Sequence, residues 1–591
     1  MTGWTVEREK LRRTTAPHLL CERARGEPDS VAFRSKLLGI YRERSWRDYA
    51  LLVSRAARAL QSLGLKRGQR VAIMGDVCEE WMICDLAAQS LGAISYGIYP
   101  TASPAEVEFQ LRDGGASVFI AEDQEYVDKI LPLADALPDL RTMIVLDDSA
   151  MAGYTHPKLV RFDQAAGDGE GDLAWLEAQV AELSPDDPAF IVYTSGTTGH
   201  PKGALATHGK HLAAADTVLS HYPTLREKAH RTVIFLPMCH ILGRDVAITL
   251  PLISRLVPHF SEDPEDFGRS LFEVAPTVLF TVPRYLQKFA SHVLVGILNS
   301  SVIKRGAYDL AVRFARGYAR RRWTGSNGAA LPAETMALWH IYGVNVVEMY
   351  GQTEEAGGII AGQRGPFPAP GSVGTAPDGV AVRLADDGEV LVKSPDLFEG
   401  YWRNEEASRE ILGADGWLRT GDIGEWKDGA LRLIDRARDF IVTAGGKTIS
   451  PSFIENALRA SPYVAEAVVF GHNRKYLTAV LEIDFDTVAD WARANDVSYT
   501  GFTSLTAHKR VEALIKTEID KVNAALARVE QIKAFRILPK ALDPEEEGEP
   551  VTPTRKVKRK LMYERFKALV DGMYDDSEDK LIAGAAGKVL S

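Results

Sequence analysis

Tyr193-Thr-Ser-Gly-Thr-Thr-Gly-His-Pro-Lys-Gly203 decides how this chain is read. Its eleven positions hold three glycines, four Ser/Thr hydroxyls and a lysine. The residues just before it, Ala189-Phe190-Ile191-Val192, form a short apolar run of the kind that makes a buried strand. A strand running into such a loop suits phosphate. Glycines let backbone N–H groups approach closely, hydroxyls add donors, and lysine supplies a point charge. The spacing Gly196-x-x-Gly199-x-x-Lys202-Gly203, with Pro201 before the lysine, is not the Gly-x-x-x-x-Gly-Lys-Ser/Thr of a Walker loop. The loop points to a nucleotide triphosphate held by a different scaffold.

Bulk composition narrows the class. A chain of 591 residues exceeds one hydrophobic core and is expected to split into domains. Its 46% hydrophobic and 25% charged residues are ordinary for a globular protein. A net charge of −10 and a pI near 5.8 give no global basic field, which argues against nucleic acid as the main partner. Cys21, Cys78, Cys84 and Cys239 form no Cys-x-x-Cys pair or zinc spacing and read as free thiols in a reducing compartment. The first ten residues lack the apolar core of a secretory signal, and no run reaches the ~20 apolar residues of a membrane span. The expectation is a cytoplasmic enzyme whose membrane association, if any, is peripheral.

Outward from the loop, the first 180 or so residues alternate helical and strand-like stretches. Tyr49 to Leu63 has helical spacing, Gly68 to Gly75 reads as a strand entering a turn, Trp81 to Leu91 is helical, and Ala93 to Ile98 is a second strand. That rhythm predicts βαβ units and a parallel sheet. It resumes after the loop, with a helix from about Lys210 and strands at Thr232–Leu236 and Thr277–Thr281. From about Gly371 to Ile434, short strand-like runs alternate with Asp-Gly pairs at Asp387-Gly388, Asp415-Gly416 and Asp428-Gly429, which is hairpin chemistry. Beyond Asp435 the pattern is mixed α/β again, with strands at Ala465–Phe470 and Leu477–Ile483 and an acidic loop from Asp543.

Four further clusters carry chemistry. Tyr350-Gly-Gln-Thr-Glu354 follows the strand-like Val344–Met349, and such a turn offers a hydroxyl to phosphate and a carboxylate to Mg²⁺. Thr420-Gly-Asp422 precedes Asp435-Arg436-Ala-Arg438-Asp439. An aspartate can accept both ribose hydroxyls, and an arginine adds a charge that is not lost by deprotonation. Gly445-Gly446-Lys447 permits close backbone approach. Thr552-Pro-Thr-Arg-Lys556-Val-Lys-Arg-Lys560 is a basic run, most often a solvated face.

In this order, over nearly the whole chain, these segments resemble the adenylate-forming superfamily, and within it the long-chain fatty acyl-CoA synthetases. The resemblance implies an α/β fold. A large N-terminal domain, residues 1–435, would hold two parallel βαβ subdomains and a small β-barrel. A smaller mobile α+β domain would follow at 436–591. ATP and AMP would be bound by Thr194, Ser195, Gly196, Thr197, Thr198, Gly199 and Lys202. The adenine segment would be Gly325–Pro332, with Asn327, Gly328, Ala329 and Ala330. Tyr350, Gly351, Gln352, Thr353, Asp422, Ile434 and Arg436 would complete that site. Many relatives carry an apolar residue where Gln352 stands. Glu354 would bind Mg²⁺, Lys556 would be the catalytic lysine, and Arg438 the hinge. Gly445, Gly446 and Lys447 would line the CoA tunnel.

The implied chemistry has two steps. A carboxylate attacks the α-phosphorus of ATP and pyrophosphate leaves; the CoA thiol then attacks the acyl-adenylate. Two anions must meet in the first step, so catalysis is mostly positioning and charge neutralisation. Leu236-Pro-Met-Cys-His240-Ile-Leu-Gly-Arg244 resembles the segment whose histidine borders the acyl pocket, which adds His240 to the catalytic set together with Thr353, Glu354 and Lys556. Relatives acting on long chains often read Ala-His-Ile-Phe-Glu-Arg there, whereas this chain has Cys239 and Leu242-Gly243. A medium- to long-chain fatty acid is the leading substrate, an aryl-alkanoate the alternative, and a fatty acyl-AMP ligase that loads a carrier protein a third reading. A homodimer is left open.

Overall fold

The structure, a computed structural model, describes residues 6–167, 169–194, 200–263, 266–298, 300–320, 331 and 333–574. Its largest sheet has eight strands in the order Gly400–Tyr401, Lys202–Thr207, Pro188–Thr194, Ile94–Ile98, Arg70–Met74, Ala116–Ala121, Thr142–Val145 and Leu159–Arg161. From Pro188–Thr194 outward all neighbours are parallel. Ile94–Ile98 and Ala116–Ala121 are buried at every position, as strands of a parallel sheet covered on both faces are. A second sheet, ordered His230–Ile234, Leu256–Phe260, Val31–Leu37 and Ile40–Ser45, is parallel over its first three strands.

Helices cover these sheets, and their starts are written locally. Trp46–Ser62 opens with a Ser45/Asp48 capping box. Pro104–Gly114 opens with a Ser103/Glu106 box and closes on Gly115, whose φ of 63° is the left-handed cap that glycine adopts without strain. Trp46, Trp81, Phe33 and Phe260 fill one core between layers, and Tyr96 and Phe119 fill another.

The Asp-Gly hairpin region is a four-stranded antiparallel sheet, Ala381–Leu384, Glu389–Lys393, Leu418–Lys427 and Ala430–Arg436. Its last strand continues by single bridges, Leu431 to Gly374 and Thr375 to Gly362, so the sheet curls toward Met349–Tyr350. Residues beyond Arg438 have their own core. Val464–Phe470, Leu477–Ile483 and Ile532–Ile537 form a sheet against helices Pro451–Arg459, Phe485–Ala494 and Lys509–Asn523, with Ile454, Leu481 and Ile515 at its centre.

The helix expected from about Lys210 is His208–His221, and before it Lys202–Thr207 pairs back on Pro188–Thr194, Thr194 opposite Lys202. Two expectations need correction. Thr277–Thr281 is no strand. Thr277 and Val278 both donate to the single carbonyl of Arg231, and Pro283 then starts a helix. Apolar composition alone does not separate a buried connector from a ladder strand. Of Val344–Met349 only Met349 enters a strand, because the Gln363 side chain accepts from Glu348 N–H where a partner strand would.

Candidate functional site

On either side of the expected phosphate loop, Pro188–Thr194 and Lys202–Thr207 are paired antiparallel strands with Thr194 opposite Lys202, where Thr194 Oγ1 also donates to the Lys202 carbonyl at 3.2 Å. Ser195, Gly196, Thr197, Thr198 and Gly199 lie outside the described residues, as do Asn327, Gly328, Ala329 and Ala330. Lys202 Nζ stands 5.1 Å over the Tyr401 ring. Tyr401, in the strand paired to the hairpin's second arm, donates its hydroxyl to Glu354 Oε1 at 2.6 Å. Lys202 and Glu354 are therefore linked through one aromatic side chain that the sequence reading did not single out. Nothing local separates Tyr401 from any half-buried aromatic.

Tyr350-Gly-Gln-Thr-Glu354 ends in a 3-10 turn, Thr353–Glu355. Gly351 is required there, because a Cβ would lie 2.9 Å from the Gly358 carbonyl oxygen. Ala356 closes the turn at φ 52°, a conformation a non-glycine residue holds only when its surroundings impose it. Here the surrounding group is His211. Its Nδ1 lies 2.7 Å from the Ala356 carbonyl and its Nε2 2.8 Å from Thr249 Oγ1. A carbonyl only accepts, so Nδ1 carries the proton and Nε2 accepts. Asp245 Oδ1 approaches Nε2 to 3.3 Å, and burial holds the Asp245 carboxyl well above the usual range. Burial likewise lowers His211 to about 3, and burial plus neighbouring Glu354 raises Glu355 to about 8. A neutral, sealed network thus backs the turn that presents Thr353 and Glu354.

Asp422 and Arg436 are cross-strand partners with Arg436 Nε 3.3 Å from Asp422 Oδ1. Asp422 Oδ2 accepts from the Tyr350 hydroxyl and from Gln352 Nε2, both at 2.6 Å. Gln352 Nε2 also reaches the Thr420 carbonyl at 3.0 Å, which an apolar residue at this position would not do. Next to Arg436, Asp435 is buried and accepts from Ser450 Oγ at 2.5 Å, Ser452 Oγ at 2.7 Å and the Ser452 backbone at 3.2 Å. Ser450 Oγ also lies 3.4 Å from the Ile434 carbonyl. Arg438 follows in a short turn, its pKa lowered by burial and then by Arg436.

The basic run resolves into distinct environments. Arg555 pairs with Glu482 at 3.1 Å, Lys558 with Glu106 at 3.5 Å, and Arg559 with Glu455 at 2.6 Å, while Lys560 lies 4.0 Å from Glu564. Lys556 sits in a turn closed by Thr552, whose N–H donates to the Lys556 carbonyl at 2.8 Å and whose hydroxyl accepts from Lys556 N–H at 3.0 Å. Arg555 just before it is left-handed at φ 57°. Lys556 is reachable by water yet surrounded by protein, as befits an open cleft. Desolvation and then Arg436 lower its pKa, while Asp422 and Glu354 oppose that shift. This segment is docked by Thr101 Oγ1 to the Pro553 carbonyl at 2.9 Å and by Lys129 to Glu545 at 3.3 Å.

His240 begins a short helix, with its Nδ1 accepting from Leu242 N–H at 3.2 Å. Burial, and then the charge of Lys556, lower it to about 4, so it faces the cleft as a neutral ring. Behind it, Gly97 packs so closely that a Cβ would lie 2.5 Å from Cys239 Cβ. Gly445, Gly446 and Lys447 form an exposed turn between Ile441–Val442 and Thr448–Ile449. Among the described residues they make no hydrogen bond or ion pair to Glu354, Asp422 or Lys556. No helix among the described residues is long and apolar enough to cross a membrane.

A hairpin lysine, a Thr-Glu turn, an Asp–Arg pair and a C-terminal lysine converge on one cleft, a set of groups whose chemistry suits a phosphorylated, ribose-bearing ligand. Residues 20–402 match the AMP-binding enzymes and residues 438–578 match the AMP-binding enzyme C-terminal domain. The chain belongs to this family. It is 32% identical to the long-chain-fatty-acid–CoA ligase FadD15 of Mycobacterium bovis, over 94% of this chain and 96% of that one. It is 26% identical to the peroxisomal long chain acyl-CoA synthetase 7 of Arabidopsis thaliana, over 91% and 82%. Its fold is that of the adenylation domain of a Mycobacterium chelonae carboxylate reductase, with a TM-score of 0.74 and 21% identity over 95% and 91% of the two chains.

Proposed function

We propose that this protein is an AMP-forming carboxylate–CoA ligase acting on a long-chain fatty acid. One observation carries the reading: Glu354, Asp422, Arg436 and Lys556, from three separated stretches of chain, lie within electrostatic reach of one another in one cleft. The identity to long-chain ligases over nearly the full chain supports the substrate class.

In this reading Asp422 takes the ribose hydroxyls and Arg436 the adjoining charge. Lys202 and Thr353 hold the phosphates, and Lys556 bridges the nucleotide and the incoming carboxylate. The carboxylate oxygen bonds to the α-phosphorus as the bond to pyrophosphate breaks. Lys556 and Lys202 offset the charge that builds up there. Glu354 would hold Mg²⁺, which supplies charge neutralisation on the phosphates. A single carboxylate fits an ion that takes most of its ligands from phosphate and water, and Tyr401 fixes one oxygen of that carboxylate and leaves the other for the ion. Neutral His240 lines the approach of the acid. The CoA sulfur then bonds to the acyl carbon and AMP leaves.

The division into 1–435 and 436–591 is part of the proposal, with Arg438 as pivot. It is supported by the separate core beyond Arg438. Rotation there would withdraw Lys556 and bring the exposed Gly445–Lys447 turn to the acyl-adenylate. We keep a cytoplasmic setting, supported by four unpaired cysteines. AMP release with Mg·ATP and a panel from acetate through palmitate to phenylacetate and cinnamate, each with and without CoA, tests the reading. CoA-dependent turnover greatest on palmitate is expected. A maximum on the aryl acids replaces the substrate. Adenylation without CoA thioester replaces the ligase by a carrier-loading enzyme.

A further inference from the structure

Among the described residues the Lys556 ammonium makes no hydrogen bond or ion pair, so its aim comes from the backbone that carries it. That backbone is a tight reversal. Val551 and Val557 bridge across it, Lys558 N–H donates to the Pro550 carbonyl at 2.7 Å, and Thr552 Oγ1 lies 2.8 Å from Thr554 Oγ1. Arg555 is its left-handed residue, at φ 57°. Glycine takes this conformation freely, whereas a residue with a side chain holds it only when its surroundings secure it. Here the side chain itself is secured: Arg555 Nη2 donates to Glu482 Oε1 at 3.1 Å.

Glu482 lies on strand Leu477–Ile483 at 3% exposure, directly opposite the buried Glu466 of strand Val464–Phe470. Glu466 is taken by Arg459 and by the Ala467 N–H. Glu482 Oε1 also accepts from the Leu542 N–H at 3.3 Å, and its Oε2 is buried with no hydrogen-bond partner among the described residues. Burial pushes the Glu482 carboxyl above its usual range, and Arg555 is the strongest group opposing that shift. A buried ion pair adds little to a fold that an apolar pair would not, so this one is better explained by the chain it holds in place. We propose that Arg555, anchored on Glu482, is a positioning residue that aims Lys556 into the nucleotide cleft. The inference rests on the role proposed for Lys556 in the first step. Arg555 and Glu482 both lie beyond Arg438, so the anchor moves with the C-terminal part. Thr101 with Pro553 and Lys558 with Glu106 join that part to the N-terminal one instead. Loss of the anchor therefore harms the step that uses Lys556 and spares the one that does not.

Two half-reactions of the full chain test it, with the acid of the panel that the parent turns over best. ATP–pyrophosphate exchange reports the first step, and thioester formation from CoA and the supplied acyl-adenylate reports the second. Arg555→Gly suits the left-handed backbone but removes the anchor. Its exchange should fall about 10- to 100-fold, in kcat rather than in KM for Mg·ATP, with the second step unchanged. Arg555→Lys should recover part of the loss. Glu482→Gln/Arg555→Gly, which takes away the carboxylate together with its cation, should match Arg555→Gly. Lys556→Ala/Arg555→Gly should lose no more than Lys556→Ala, since the two act as a unit. Parental exchange in Arg555→Gly overturns this inference alone. So does an equal loss in both steps, or a loss in Lys556→Ala/Arg555→Gly equal to the product of the single ones. A parent without exchange on any acid overturns the proposed function, and this inference with it.

Discussion

Arg244 and Lys556 are both cations facing carboxylates, and the molecule treats them in opposite ways. Arg244 makes a bidentate pair with Asp85 at 2.8 and 2.5 Å, both side chains are sealed, and the guanidinium lies 4.0 Å over Phe190. Asp85 is filled further by Ser95 and Gln89. Both carboxylate oxygens there are taken up by protein donors. Lys556 faces Asp422, Glu354 and Arg436 without a paired geometry, in a cleft open to water. The first arrangement fixes the sheet against the segment that carries His240. The second leaves charge for a ligand. Sequence neighbours do not reveal the difference, since both are basic residues within motif-like runs.

The comparison can be broken from either side. Arg244→Ala leaves Asp85 buried and unpaired and should cost about 3–5 kcal/mol of stability, read by denaturant unfolding. The double change Asp85→Leu/Arg244→Met should recover part of that. A loss near zero for Arg244→Ala would mean that the sealed pair is idle. Lys556→Ala should lower AMP formation by about 100- to 1000-fold with unchanged unfolding, while thioester formation from a supplied acyl-adenylate persists. Equal loss in both steps would remove Lys556 from its proposed role.

Two smaller tests sharpen the contrast. Glu355, raised to about 8, binds its proton more tightly folded than unfolded, so its contribution to stability falls as pH rises from the ordinary carboxylate range to about 8. Glu355→Gln should therefore gain on the parent by about 1.4 kcal/mol per pH unit across that window. A constant offset between melting curves at pH 5.5 and pH 8 would contradict the buried neutral acid. Tyr401→Phe keeps the ring under Lys202 and removes the bond to Glu354; loss of about 1 kcal/mol, or roughly fivefold in KM for Mg·ATP, is expected. An unchanged KM would leave Glu354 oriented by other groups.

Much of this was legible in the residues. The alternation of strand-like and helical stretches marked the parallel strands and Asp-Gly pairs marked the hairpins, among them Asp428-Gly429, which joins the strands where Asp422 and Arg436 prove to be cross-strand partners. What was not legible depends on distant contacts. The hairpin arm Lys202–Thr207 is too short and too Ala/Gly-rich to declare itself. His211, Asp245, Thr249 and Ala356 meet only because three segments fold together. The choice of Lys556 among four neighbouring cations followed from resemblance, and the separate partners of Arg555, Lys558 and Arg559 are what the fold adds.

Tyr401 touches Lys202 on its face and Glu354 at its hydroxyl, and its chain neighbour is Trp402, whose indole N–H donates to the Asp113 carbonyl at 3.1 Å. The Arg70 and Arg403 guanidiniums lie 6.0 and 5.5 Å from that indole. A ligand that draws Lys202 off the ring alters the field around a fluorophore one residue away. If a nucleotide engages Lys202 as proposed, its arrival is expected to change the intrinsic emission, and Trp402→Phe should abolish that change.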